Sequence, residues 1–421
     1  MYRVWAFLTS YVWTLCAGAA LGLILANLSP GAYAYLTAFP LAFGDTVGQD
    51  AGIWLAEHGA RFDIPDLGDV TRVLTVSEAV ATFGMALVLV LAAKELWEAL
   101  ILDHGALRGR AALLPGAMAL GGLGGAALLY LALNAALDLD AAAGWAIPGT
   151  TDIAIAYVLG RAVFGSGDPA LRLLLVMAVA DDALAMAILA VFHPQFTPQP
   201  QWLAVAALAG LAAYLLANLL PRIIDGADPM KPAQTATRLR LGLLPYAVTG
   251  AVSIFAVTRS GLHPALGLLP VLPALPHADR AFGVFASAEK HLHDLLNRAE
   301  QMLRYPVGVV LFLFAFCQAG VPLGAAGPLS LVVMAAMLIG KPLGTLAGGL
   351  AARLVDARVP WSRIRRVAMV SGAGFTMALL LSDAAALSPE QSRAARIGVL
   401  GGVIALAALG AVLRRRPQSF T

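Results

Sequence analysis

Two aspartates, Asp181 and Asp182, stand side by side in LLLVMAVADDALAMAILAVF, a stretch over 173–192 with no other charge. Two carboxylates so close in a low dielectric cannot both ionise freely. They make a site where a proton and a hard cation compete, and oxygen ligands suit such a cation. The alternative is a pair tied up in hydrogen bonds between helices. Successive helical residues point about 100° apart, so one carboxylate can line a cavity while its neighbour turns to another helix. Lys341, in MLIGKPLGTLAGG, has ten uncharged residues on either side. It is the natural counter-ion, or a second proton carrier. Pro342 and Gly344 loosen the helix around it. Asp152 opens the short run GTTDIAIAYVLG, and Asp383 ends GFTMALLLSD, where it can reach a surface. Glu78, Lys94 and Glu95 lie near the two ends of one apolar run and read as side chains that snorkel to the membrane edge.

These charges matter because so little else is charged. Of 421 residues, 60% are hydrophobic and 13% charged, against about 25% charged in a soluble domain. That composition excludes an ordinary soluble enzyme, a disordered chain and a secreted disulfide scaffold. It leaves a polytopic membrane protein, in which an ionisable residue at mid-span costs a few kcal/mol and is a functional candidate by default. Cys16 and Cys317 sit in apolar runs and read as small hydrophobes. A net charge of +3 gives no sign of nucleic acid as a partner.

Apolar segments fall at 5–28, 77–100, 111–133, 152–164, 170–192, 202–220, 241–257, 264–276, 304–321, 328–350, 366–383 and 393–413. The first is too long for the core of a signal peptide and reads as a span. The fourth and eighth are too short to cross the hydrocarbon as intact helices. With both termini cytoplasmic, all but six of the 28 Lys and Arg fall on the inner side. The six are Arg61, Arg72, Arg259, Arg393 and Arg396 outside, and Lys341 within a span. That asymmetry is what the positive-inside rule requires, and a missed span would scramble it. Residues 1–421 form a single transmembrane domain. Its one sizeable extramembrane piece is the acidic outer loop 29–76, which suits a small β-hairpin or an irregular loop equally. The basic inner loops 222–240 and 277–304 include His277, His291 and His293, which read as solvated.

Pro148, Gly149, Thr150, Thr151 and Asp152 disfavour a continuous helix in the fourth segment. Ser371-Gly372-Ala373-Gly374-Phe375-Thr376 interrupts the eleventh in the same way. Broken helices at membrane depth are tolerated where they line a cavity. Two of them in different halves point to an inverted-repeat transporter.

The motifs carrying these features resemble the NhaA family of bacterial sodium/proton antiporters, in order along most of the chain. They are LGLILANLSP, GWAIPGTTDIAIA, AVADDALAMAI, LFAFCQAGV, LIGKPLGTLAGGL and SGAGFTMALLL. The resemblance implies an all-α fold of twelve transmembrane helices with inverted repeats and interrupted, crossing fourth and eleventh helices. It implies a homodimer in the lipid of the bacterial inner membrane, often with a hairpin from the first outer loop. Asp182 would be the principal sodium or lithium ligand. Asp181 would be its proton-carrying partner, also beside the metal ion and paired with Lys341. Asp152 would balance helix ends at the crossing, and Thr151 would offer a nearby oxygen. The implied activity is electrogenic exchange of cytoplasmic sodium or lithium for external protons, by alternating access and without a cofactor, in pH and sodium homeostasis.

The chain also departs from the family pattern. The charged LEVKREL-type motif of the second helix is Leu91-Ala92-Ala93-Lys94-Glu95 here, without its middle charges. Gln318 replaces the asparagine of FAFANAG, Cys317 an alanine, and Phe312 a proline. The family associates the second-helix charges with pH sensing, so these changes bear on pH activation. Three rival readings compete with this one. An intramembrane aspartyl protease would use the GxGD pattern of Gly165-Ser166-Gly167-Asp168, but the sequence holds no partner YD dipeptide, and Asp168 falls in a turn. A sodium-coupled symporter would use the same carboxylates to drive an organic solute. A non-transporting sensor would have lost ion-site residues, and these are intact.

Overall fold

A computed structural model of the chain describes residues 7–43, 73–102, 105–195, 197–226, 228, 230–276, 295–355 and 360–413. The helices that build the membrane body are α1 (Phe7–Leu28), α2 (Val76–Ile101), α3 (Leu113–Ala136), α4 (Ile153–Phe164), α5 (Pro169–Phe192) and α6 (Pro200–Asp225). They continue as α7 (Leu244–Ser260), α8 (Leu295–Ala319), α9 (Pro328–Val355), α10 (Trp361–Val370), α11 (Thr376–Ala384) and α12 (Pro389–Leu413). Among the described residues, α1, α2, α3, α5, α6, α8, α9 and α12 are the eight long and apolar enough to cross a membrane. Helix is the form such sequences must take, since lipid offers no partner to a free N–H or C=O.

Burial orders these helices around α5. In its apolar window 67% of residues are buried, against 22% in α6, which borders lipid. The double aspartate therefore lies on the most buried of the eight long spans. The expected short segments are both irregular. A 3₁₀ stretch, Ala142–Gly149, precedes α4, and the eighth segment is two 3₁₀ pieces, Pro264–Leu266 and Leu269–Ala274. The largest boundary difference from the sequence reading is in α8, which is already helical at Leu295 rather than starting near 304. Leu295, Leu296, Ala299, Met302 and Leu303 recur at helical spacing, so the helix continues through charged residues that a hydropathy count assigns to the loop.

The outer loop opens with a short helix, Pro30–Thr37, and continues into an antiparallel pair, β1 (Pro40–Phe43) with β2 (Val73–Thr75), Pro40 opposite Thr75. Thr75 then caps α2, accepting from the Glu78 N–H, while the Glu78 carboxylate accepts from the Thr75 N–H. The rest of the expected hairpin, 44–72, and His277, His291 and His293 lie outside the described residues.

The closest helix contact is between α3 and α9. Ala117, Gly121 and Gly125 on one helix meet Gly340, Gly344 and Gly348 on the other, a small residue every fourth position on both. A Cβ on Gly344 would fall inside the Gly121 carbonyl, and one on Gly348 inside that of Ala117. In lipid, helices gain little from hiding apolar surface, so such backbone-to-backbone packing supplies much of their attraction. Just before Lys341, α9 widens into a π turn, Ala336–Gly340. Pro342 has no N–H for the Leu338 carbonyl, which is reason for the turn to open there.

Gly344→Val is expected to push α3 and α9 apart and cost about 1–3 kcal/mol, the usual range for overpacking. The thermal midpoint of the purified protein checks this. Gly124→Ala on α3, whose Cβ meets no atom within 4 Å, should leave it no lower, since Ala favours a helix interior over Gly.

Candidate functional site

The two interruptions lie against each other. The Asp152 N–H donates to the Ala373 carbonyl (2.8 Å). Gly374 packs on the Thr150 carbonyl so closely that a Cβ there would collide with it. Asp152 starts both helices beyond the breaks. Its Oδ1 accepts from the Ala154 and Ile155 N–H groups (3.0 and 3.1 Å), the first turn of α4. Its Oδ2 accepts from the Thr376 hydroxyl and, at 3.4 Å, from the Thr376 N–H, the first residue of α11. Two helix N-termini, each with partial positive charge and free N–H groups, thus share one carboxylate.

Lys341 reaches across from α9 and is fully buried. Its ammonium donates to the Gly149 carbonyl (2.7 Å), the Thr151 Oγ1 (2.6 Å) and the Asp181 Oδ2 (2.8 Å). That uses all three of its hydrogens. The Thr151 Oγ1 also lies 2.6 Å from the Asp181 Oδ2 and 2.7 Å from the Ser371 carbonyl. Its single hydrogen can serve only one of these two acceptors at a time.

The two aspartates differ as the 100° turn requires. Asp181 faces α9, with Oδ2 bound and a buried Oδ1 that has no partner. Asp182 faces a cavity of about 90 Å³, which Asp152 and Thr376 also line. Apart from Tyr11, the remaining walls are apolar, from α1, α2, α4, α8 and α11, with Leu15, Leu89 and Leu311 among them. Among the described residues, nothing donates a hydrogen bond to Asp182. The cavity has room for about three waters at roughly 30 Å³ each, or for a small cation with part of its hydration. All five residues singled out in the sequence, Thr151, Asp152, Asp181, Asp182 and Lys341, meet here.

Lys94 and Glu95 do not snorkel. Both are 2% exposed. The Lys94 ammonium lies 3.3 Å from Glu95, 2.9 Å from Glu98 and 2.8 Å from Glu300 of α8. The Lys94–Glu98 spacing of four residues was a readable signal. Glu300 was hidden by the misplaced start of α8. Two ion pairs border the site's helices. Asp168, which caps α5 at Ala170 N–H (2.8 Å), also has both carboxylate oxygens 2.6 Å from one guanidinium nitrogen of Arg366 on α10. Asp383 at the end of α11 accepts from Arg396 of α12 at 2.7 Å, at the surface as expected.

A profile of the family described as "Na+/H+ antiporter 1" matches residues 12–413. The Na(+)/H(+) antiporter NhaA of Jannaschia sp. (strain CCS1) is 42% identical over 409 residues, 95% of this chain and 94% of the relative. Its counterpart in Geobacter metallireducens is 35% identical over 70% of this chain and 76% of its own length. That of Geobacter sulfurreducens is 34% identical over 68% and 72%.

The shared carboxylate predicts a stability effect separable from transport. Asp152→Ala removes the start of two helices and should cost about 2 kcal/mol, at about 1 per cap. Asp152→Asn keeps one acceptor oxygen and should cost about half as much. Thermal midpoints of the two variants and the parent check the order, and an unshifted Asp152→Ala would contradict the double cap.

Proposed function

This chain belongs to the Na+/H+ antiporter 1 family, and from that premise we propose that it exchanges cytoplasmic sodium or lithium for external protons at the Asp181–Asp182 pair. The observation that carries the reading is Asp182, a 7%-exposed carboxylate on a cavity, to which nothing among the described residues donates. A buried charge without a partner is costly. Asp182 is relieved by a proton or by a cation, and the two exclude each other. That exclusion couples the two flows with no covalent chemistry and no cofactor.

Asp182 is the principal ligand. Asp181 contributes its unpartnered Oδ1 to the cation, and protonates when the cation leaves. Lys341 holds Asp181 in place and balances its charge. Asp152 balances the two N-termini, and the Thr151 hydroxyl adds an oxygen beside the pair. Exchange of more than one proton per ion, through both aspartates, makes the cycle electrogenic.

Our reading of the fold adds α4, α7, the 3₁₀ stretch Pro264–Ala274 and the interrupted α10–α11 to the eight long spans, giving twelve membrane segments in inverted repeats. The fourth and eleventh cross at their breaks, and a rocking of the helices around that crossing exposes the site alternately to each side. The whole chain works as one transport unit of a homodimer in the bacterial inner membrane, with both termini cytoplasmic and the outer-loop strands as the base of a dimerisation hairpin. The activity serves pH and sodium homeostasis.

Proton flux in inside-out vesicles under an imposed pH gradient tests the assignment. Sodium or lithium should collapse the gradient in the parent and fail to do so in Asp182→Asn, while Lys341→Arg keeps part of the activity. Full exchange by Asp182→Asn would sink the site. Because protons and cation compete, the apparent KM for sodium should rise as pH falls, by up to about tenfold per unit for each proton that must leave before the cation binds. A KM that is flat between pH 6 and 8 would contradict direct competition.

A further inference from the structure

The 3₁₀ turn Gly109–Ala112 that leads into α3, the first residues of α3 and α5 and the last turns of α9 enclose a groove of about 390 Å³. Two residues in its lining carry charge, Arg110 and Arg172, and among the described residues no carboxylate lines it. Neither guanidinium makes an ion pair or hydrogen bond among the described residues, in contrast to Arg366 and Arg396. Below the arginines the walls are apolar and half-exposed, with Leu114, Leu173 and Val176 facing the opening.

The depth of these groups follows from helix geometry. Arg172 precedes Asp181 by nine residues on one helix, about 14 Å at 1.5 Å per residue. Half the hydrocarbon thickness is roughly 15 Å. With Asp181 near the midplane, Arg172 stands where acyl chains give way to phosphates. Guanidinium matches phosphate oxygens in pairs, and basic pockets between transmembrane helices on the inner side take anionic head groups.

We propose that this groove binds an anionic phospholipid of the inner leaflet, its phosphate between Arg110 and Arg172 and an acyl chain along Leu114, Leu173 and Val176. A soluble phosphate would use the arginines alone and leave the apolar wall bare, so the wall assigns the ligand to the membrane. The bound lipid ties α3, which holds α9 through the glycine seam, to α5, which holds the two aspartates.

The test uses the full chain, purified in neutral detergent, with phosphatidylglycerol, phosphatidylcholine or inorganic phosphate added at equal concentration. Phosphatidylglycerol should raise the thermal midpoint of the parent by several degrees more than either of the others, as ligand linkage requires. The Arg110→Gln/Arg172→Gln double variant should lose most of that difference, and Arg110→Lys/Arg172→Lys should retain part of it. Arg222→Gln/Arg240→Gln, which removes two exposed basic charges elsewhere, should keep it whole. Equal effects of the two lipids on the parent, or an equal effect of inorganic phosphate, would overturn the proposal. So would a phosphatidylglycerol preference undiminished in the glutamine double variant, or lost equally in the Arg222/Arg240 control. If the glutamine variant does not fold, the lysine variant and the three additives on the parent still decide.

Discussion

A charge buried in a membrane protein must be answered locally, and the ammonium of Lys341 is the charge around which this molecule is arranged. It has three hydrogens and finds three acceptors, the Gly149 carbonyl, Thr151 and Asp181. One of the three is a backbone carbonyl left free because the 3₁₀ stretch ends at Gly149 and the chain runs extended before α4. The interruption before α4 is thus part of the solvation of Lys341. Asp152 does the converse service for the exposed N–H groups on the far side of the break. Irregular backbone, which lipid would not tolerate, is satisfied by side chains whose own charges lipid would not tolerate either.

This arrangement depends on reach. Lys341 can meet residues around Gly149 because α9 lies against α3 with no side chain between them along the Gly340–Gly344–Gly348 face. The 3₁₀ stretch Ala142–Gly149 packs against α3 in turn, where the Tyr130 hydroxyl donates to the Ala141 carbonyl (2.7 Å) and the Asn134 side chain accepts from the Ala141 N–H (2.9 Å). The glycine seam and these two side chains set the distance between ammonium and carbonyl. Asp182 is left apart from that network, and its separation from Asp181 gives two neighbouring groups different environments.

Much of this was legible in the sequence because membrane proteins make charge conspicuous. Asp181, Asp182 and Lys341 stand out against apolar runs, and the Pro-Gly and Gly-rich interruptions announce irregular backbone. What the sequence concealed was partnership. Lys94 and Glu95 look like edge residues by position, and only the approach of α8 makes them interior. Glu300 sits in a stretch with four charges between 294 and 304 that hydropathy assigns to a loop, though its apolar spacing is helical. The double role of Asp152 depends on α11, 224 residues away in the chain. No local pattern reports a contact of that separation. Hydropathy reads the cost of leaving a residue in lipid, and it is blind to a second helix that removes the cost.

The π turn at Ala336–Gly340 has a consequence for how this protein can vary. Before the turn, α9 presents Ser330 to α12, where its hydroxyl donates to the Ala394 carbonyl (2.7 Å). After it, α9 presents glycines to α3 and Lys341 to the aspartates. One surplus residue lodged in the helix sets the phase between these two faces. Removing it would restore ordinary α spacing and rotate everything beyond by about 100°, turning the ammonium off its acceptors while every side chain kept its identity. In this stretch the chain tolerates a change of letter more readily than a change of count, and insertions or deletions there are a sharper hazard than substitutions.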